Sequence, residues 1–201
     1  MATRPSKTSG DGARPLFVTS SMDKLRECNE ILGQEVDSHA LKLEEIQSTS
    51  LEAVVRHKAE QAYRAIGKPL FVEDTALRFL AWGQLPGPFI KHFIENMGLL
   101  GLVDTLAPAK NWGAEAACGV GYHDGTQVHY FEARVRGTIV LPMGRGGFGF
   151  DPIFRPSDAG RTYGEMTPEE KNERSARALA LKKLGVFLGL TPAQAPPAAQ
   201  A

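Results

Sequence analysis

The sequence has no excess of charge of either sign: 23 Lys and Arg balance 23 Asp and Glu. Domains that grip nucleic acid by bulk electrostatics are ordinarily basic, so that class is excluded; a small anion needs only a local cluster of donors and is not. Cysteine is scarce. Cys28 and Cys118 lie in apolar-patterned segments without a paired spacing, which reads as two buried free thiols in a reducing compartment rather than a disulfide or a nucleophile. No run approaches the roughly 18 apolar residues of a membrane span, and no secretory signal pattern occurs. The expectation is a cytoplasmic protein with neither a membrane nor a nucleic-acid partner.

What is present is the composition of a globular chain, 42% hydrophobic and 23% charged over 201 residues. That length suits a single domain, or a single domain of two lobes. Residues 1–14 and the Ala/Pro-rich residues 191–201 have almost nothing to bury, and two disordered tails around a domain at 15–190 are predicted.

The chain is organised around Leu70-Phe71-Val72-Glu73-Asp74-Thr75-Ala76-Leu77. Its apolar start predicts a buried strand that ends in two adjacent carboxylates and a hydroxyl. Successive strand side chains point to opposite faces, so Glu73 and Asp74 cannot both serve one target without a twist or bulge. Acids so placed can hold a metal or an activated water, or can be ordinary strand-end residues.

Upstream, Pro15 to Val18 reads as a strand and Met22 to Leu32 as a helix stopped by Gly33. A strand opening through a polar turn into a helix can cradle phosphate. Thr19, Ser20 and Ser21 supply hydroxyls, Lys24 a charge, and the helix N-terminus free N–H groups. The same hydroxyls can simply cap the helix. A second strand is predicted at Ala40–Leu43, and a helix carrying His57 and Lys58 from Leu51 to Ile66.

Downstream, Leu85-Pro86-Gly87-Pro88 introduces a helix over Phe89–Met97. Strands at Ala116–Tyr122 and Val128–Arg136 flank an Asp-Gly turn, with His123 and His129 expected on the solvent side. Four glycines between Gly144 and Gly149 rule out regular structure there. Phe148 and Phe150 on that frame need a partner, either a flat aromatic ligand or the core. Thr167-Pro168-Glu169-Glu170 announces a last helix on which Lys171, Arg174 and Arg177 share a side.

Taken together, four stretches resemble the inosine triphosphate pyrophosphatase family over roughly residues 15–188. They are Val72-Glu73-Asp74-Thr75, Leu85-Pro86-Gly87-Pro88, Gly147-Phe148-Gly149-Phe150-Asp151-Pro152-Ile153-Phe154, and Glu165-Met166 followed by Glu170-Lys171-Asn172. The resemblance implies an α/β fold with a long mixed sheet, two lobes around a central nucleotide-binding cleft, and a homodimer. It implies Mg²⁺-dependent hydrolysis of non-standard purine nucleoside triphosphates such as ITP, dITP and XTP to the monophosphate and pyrophosphate. By the same resemblance Asp74 serves the metal and the attacking water, and Glu45 is a second metal ligand. Lys24, Lys58 and Lys171 bind the phosphates, with Thr19, Ser20, Ser21 and Thr75 beside them. Phe148, Gly149, Phe150, Asp151 and the Ala176-Arg177 pair hold the base.

This chain departs from the family pattern at two places. The family's Thr-Gly-Asn turn is Thr19-Ser20-Ser21 here, and its Ser-His-Arg is Ser175-Ala176-Arg177. Ser20 loses the freedom of glycine to adopt positive φ, and Ala176 cannot read a keto group. A relaxed or shifted base preference is expected. An alternative reading is a non-catalytic nucleotide-binding or regulatory protein on the same fold.

Overall fold

The computed structural model describes residues 15–190; the two predicted tails lie outside the described residues. Strand β1 (Leu16–Val18) leads into helix α1 (Met22–Leu32). Ser21 caps that helix by accepting the Lys24 N–H, and Gly33 closes it at φ 66°, a left-handed conformation that glycine adopts without strain. Strand β2 (Asp37–His39) pairs parallel with β1. It lies just before the strand predicted at Ala40–Leu43. The reason is length: β1 offers only three residues of ladder, and Asp37, Ser38 and His39 use all of them. Leu41 and Leu43 pack instead against the cluster beneath the next helix.

That helix, α2 (Leu51–Ile66), is capped by Ser50 and closed by Gly67. It buries Leu51, Val54, Val55, Ala59 and Ala62, a stripe of helical period. Strand β3 (Leu70–Phe79) follows and is the centre of the sheet. The sequence reading ends this strand at the acids, whereas the acids sit in its middle. Leu77 and Phe79 are buried beyond them, and the ladder to β5 runs through all ten residues.

Strand β4 (Pro86–Gly87) folds back on β3 after a cis Leu85–Pro86 peptide. Helix α3 (Ile90–Asp104) outruns its predicted end at Met97. Its path breaks at Gly98 (φ 68°, ψ 173°) and resumes, because Leu102 and Val103 find a buried place against Leu77 and Phe79. Strands β5 (Gly113–His123) and β6 (Val128–Ile139) form a long hairpin. Asp124 holds its turn by accepting the Thr126 and Gln127 N–H groups. His123, expected at solvent, is 3% exposed and stacks on Tyr63 with ring centroids 3.7 Å apart. Alternation places it on the face of Gly121 and Ala117, the face that α2 covers. His129 lies on the opposite face, half-covered, beside Asp124 and Phe187.

Strand β7 (Phe154–Pro156) ends the sheet, whose order is β2-β1-β3-β5-β6-β7 with β4 on β3. The single last helix predicted from Thr167 is two, α4 (Pro168–Arg174) and α5 (Ala176–Leu188). Ser175 (φ −66°, ψ 152°) ends the first and caps the second by accepting the Ala178 N–H. The three cations therefore do not share a straight face: Arg174 turns to Asp158, while Lys171 and Arg177 turn inward. The mixed sheet is sandwiched. Helix α2 covers the face of Val72, Asp74 and Ala76; α1 and α5 cover that of Phe71 and Glu73.

Candidate active site

Beside the middle of β3 lies a cleft of about 950 Å³, and every residue singled out above as a candidate lines it. It has two chemically distinct ends. At the first, α2 brings Lys58 over the sheet face on which Asp74 stands. The Lys58 Nζ lies 3.0 Å from Glu45 Oε1 and 3.4 Å from Asp74 Oδ2. Burial pushes the Lys58 ammonium down, but the Asp74 and Glu45 carboxylates outweigh this and raise it. Partial burial likewise pushes Glu45 up. Lys58, with weaker help from Lys91 and Lys24, holds it below its ordinary value.

The β1–α1 turn borders this end. Thr19 Oγ1 accepts the Ser21 N–H and Ser21 Oγ accepts the Lys24 N–H, so each hydroxyl keeps its own proton to donate into the cleft. Ser20 is exposed and adopts negative φ, since Lys110 is the only non-glycine residue at positive φ among those described. The serine therefore costs this turn no backbone strain. Thr75 stands after Asp74, its N–H donated to Asp74 Oδ1 at 2.9 Å.

At the second end a chain of buried charges runs from the sheet to the glycine-rich loop. Lys24 Nζ lies 2.6 Å from Glu73 Oε1, and Arg177 Nε donates to Glu73 Oε2 at 2.7 Å. Arg177 Nη1 donates to Glu27 at 2.6 Å, as does Lys171 Nζ, which also donates to Asp151 Oδ2 at 2.5 Å. Asp151 then accepts the Phe148 N–H at 2.7 Å. Burial opposes ionisation of Glu73, but Arg177 and then Lys24 hold its carboxyl well below the usual range. Gly147 at φ 69° lets the loop pass over Asp151, where a Cβ would collide with the carboxylate. Phe148 thereby comes to rest with Lys171 Nζ 4.8 Å and the Arg177 guanidinium 5.0 Å from its ring centroid. Phe150 turns edge-on to Phe154 and joins the core. Gly149 is exposed and Ala176 is buried beside Arg177 at the start of α5.

Lys171, grouped by resemblance with Lys24 and Lys58, is thus held between Glu27 and Asp151 under the Phe148 ring. Two residues escaped the sequence reading. Glu27 is a buried acid on α1; the signal was there, since it precedes Ile31 by four residues and so shares the apolar stripe. Lys91, near the start of α3, lines the cleft and acts on Glu45. Its place one residue into an apolar helix was the available clue. The expected buried thiols are found: Cys28 and Cys118 are both inaccessible and unpaired.

A mixed sheet bordered by a cleft with carboxylates and lysines at one end and a cation-backed aromatic ring at the other defines an α/β ligand-binding class. Known proteins narrow it. The Ham1 family profile matches residues 16–187. The inosine triphosphate pyrophosphatase of Saccharomyces cerevisiae is 42% identical over 186 residues, covering 86% of this chain and 94% of its own. That of Puccinia graminis is 44% identical over 180 residues, covering 84% and 93%. A HAM1 protein from Coxiella burnetii superposes with a TM-score of 0.73 at 26% identity, covering 88% of this chain and 98% of its own. A nucleoside-triphosphatase/dITP/XTP pyrophosphatase from Mycobacterium abscessus gives 0.66 at 28% identity, covering 84% and 97%. The chain belongs to the Ham1 family.

Proposed function

We propose that this protein is a hydrolase that converts non-standard purine nucleoside triphosphates, such as ITP, dITP and XTP, to the monophosphate and pyrophosphate. The observation that carries the reading is the Lys58 ammonium between Glu45 and Asp74 at one end of a cleft whose other end is the Phe148 ring. The activities for which the Saccharomyces cerevisiae and Mycobacterium abscessus relatives are named support it. A homodimer in the cytoplasm is part of the same reading.

The donor set fits Mg²⁺. Glu45 and Asp74 are hard oxygen donors, and a cation, the Lys58 ammonium, already lies between them. Among the described residues no three His, Cys, Asp or Glu side chains gather into a cage. Mg²⁺ needs only one or two carboxylates once phosphates supply further oxygens. Glu45 and Asp74 would hold Mg²⁺, which when bound neutralises phosphate charge and favours deprotonation of water.

The chain's own residues do the rest. Asp74 orients the attacking water and takes its proton, a role worth about 10²–10⁴-fold. The water oxygen bonds to the α-phosphorus as the bond to the bridging oxygen breaks, and pyrophosphate leaves. Lys24 and Lys58 act as point charges on the phosphate oxygens, with the Thr19, Ser20, Ser21 and Thr75 hydroxyls donating beside them. The base stacks on Phe148, framed by Gly149 and Phe150, and meets Asp151 and the Arg177 N–H groups left over from Glu27 and Glu73. Lys171, expected by resemblance on the phosphates, is assigned to the base instead, because Glu27 and Asp151 hold it under the Phe148 ring. Ala176 offers only a methyl group, so base discrimination is relaxed or shifted.

Pyrophosphate release with Mg²⁺ across inosine, xanthosine, guanosine, adenosine, cytidine and uridine triphosphates, ribo and deoxy, tests this. Turnover that Asp74→Asn lowers by about 10²–10⁴-fold is expected. Nucleotide binding without pyrophosphate release would select the non-catalytic alternative and overturn the reading.

A further inference from the structure

We propose that Glu73 is a positioning residue that couples the two ends of the cleft, so that phosphates and base each strengthen the binding of the other. The inference rests on the functional reading above, in which Lys24 meets the phosphates and Arg177 supports the base platform.

Glu73 borders the cleft, but its side chain is only 1% exposed, so its carboxylate acts through its partners. Its two oxygens are divided. Oε1 faces Lys24 Nζ at 2.6 Å, and Oε2 accepts Arg177 Nε at 2.7 Å and the Cys118 thiol at 3.3 Å. An Arg–carboxylate pair is strongest as two parallel bonds. Here the second bond is stretched: Arg177 Nη2 stands 3.5 Å from Oε1, the oxygen that Lys24 occupies. Lys24 and Arg177 thus share one oxygen, and the short Lys24 contact is matched by a long one from Arg177.

Lys24 can leave. Its side chain is 20% exposed and lines the cleft, whereas Arg177 is 7% exposed and anchored at Nη1 by Glu27. Phosphates that draw the Lys24 ammonium outward release Oε1, and Arg177 closes onto Glu73 through both bonds. The guanidinium under Phe148 is then held from two sides, by Glu27 and by a bidentate Glu73. A ring stacked on a fixed cation is a better-ordered platform for a flat base. Coupling of binding free energies is reciprocal, so a base that fixes Arg177 against Glu73 must by the same factor favour the release of Lys24 to phosphate.

A purely structural Glu73 would lower stability and weaken both ligands without linking them. The discriminating measurement is therefore linkage. With the full chain at fixed Mg²⁺, inosine affinity is titrated calorimetrically with and without inorganic pyrophosphate, and pyrophosphate affinity with and without inosine. Each ligand is expected to tighten the other by about tenfold, within the usual range for coupled sites. In Glu73→Gln both still bind and the factor falls to one. Lys24→Met keeps the Glu73–Arg177 pair and serves where Glu73→Gln does not fold. In that variant inosine alone binds several-fold tighter than to the natural chain, because Oε1 is already free, and pyrophosphate no longer improves it. A factor of one in the natural chain with both ligands bound, an undiminished factor in Glu73→Gln, or unimproved inosine binding in Lys24→Met overturns the coupling alone. Failure of both ligands to bind the natural chain overturns the functional reading and the coupling with it.

Discussion

Glu73 and Asp74 are neighbours in the chain and stand on opposite faces of β3. Asp74 meets Lys58 beneath α2, while Glu73 is buried with Arg177 and Lys24 beneath α1 and α5. A strand that continues past both residues without a bulge gives each acid a separate task. The first faces a half-open cleft end where water can be held; the second is sealed and can act only through its partners.

Removing the open acid should cost chemistry and little else. Asp74→Asn is expected to lower pyrophosphate release by about 10²–10⁴-fold while the thermal midpoint moves little, since Asp74 is not a core group. Steady-state release paired with a melting curve checks both halves; full activity in a folded Asp74→Asn protein would refute the role.

Glu27 has the opposite profile. It is 4% exposed and is the acceptor that Arg177 and Lys171 share. Glu27→Ala leaves two buried cations short of a partner, and breaking buried pairs in this way costs about 3–5 kcal/mol. Urea unfolding should show a lower midpoint at unchanged slope. A loss under about 1 kcal/mol, the range of exposed pairs, would mean that the network contributes little.

The hairpin turn carries a pH signature. Partial burial pushes the Asp124 carboxyl up. Hydrogen bonds from the His129 and Thr126 side chains and from the Gln127 and Thr126 backbone outweigh this and hold it well below the usual range. A depressed folded-state value stabilises the fold above the ordinary carboxylate range, and the contribution is lost as pH falls through that range toward the folded value. The stability difference between the natural chain and Asp124→Asn should therefore be constant near neutrality and shrink in acid. A pH-independent difference would argue for loss of the turn's hydrogen bonds alone.

Both thiols should be silent. Burial first, and the nearby Glu73 carboxylate second, push the Cys28 thiol up to about 12 against the pull of Arg177; Cys118 is raised by burial and by Glu73 in the same way. Because the thiolate is the reactive form, iodoacetamide at pH 8 should label neither cysteine in the folded protein and both after unfolding in denaturant. Fast labelling of the native protein would mean that this sheet face opens.

Ala176 is where selectivity is expected to yield. Polar readers in a site can be worth about 10⁴–10⁵ in discrimination, so Ala176→His should raise the ratio of inosine to adenosine triphosphate turnover by at least roughly tenfold. An unchanged ratio would move base selection to Arg177 and Asp151.

Much of this site was legible in the sequence because its residues sit in local patterns. Thr19 to Lys24 stand between a strand and a helix, Lys58 rides an amphipathic stripe, and Phe148 to Asp151 follow glycines that exclude regular structure. The misreadings share a cause. Where β2 ends, how far β3 runs past its acids, and where α3 resumes after Gly98 depend on the length of the neighbouring strand or on a distant apolar surface. No residue within the segment encodes those.

By itself, then, the sequence determined the order of the main strands and helices as far as the hairpin, the central acidic strand, the cap at Thr167, and the buried state of both cysteines, since propensity, capping and periodicity act over a few residues. Tertiary structure alone decided that Lys171 lies under the Phe148 ring, that Glu27 joins Lys171 to Arg177, and that Glu73 is shared between Lys24 and Arg177. The ion pairs among them join residues 49 to 150 positions apart. They exist because burying charge is unfavourable unless each group finds its opposite, and only the folded chain brings the opposites together.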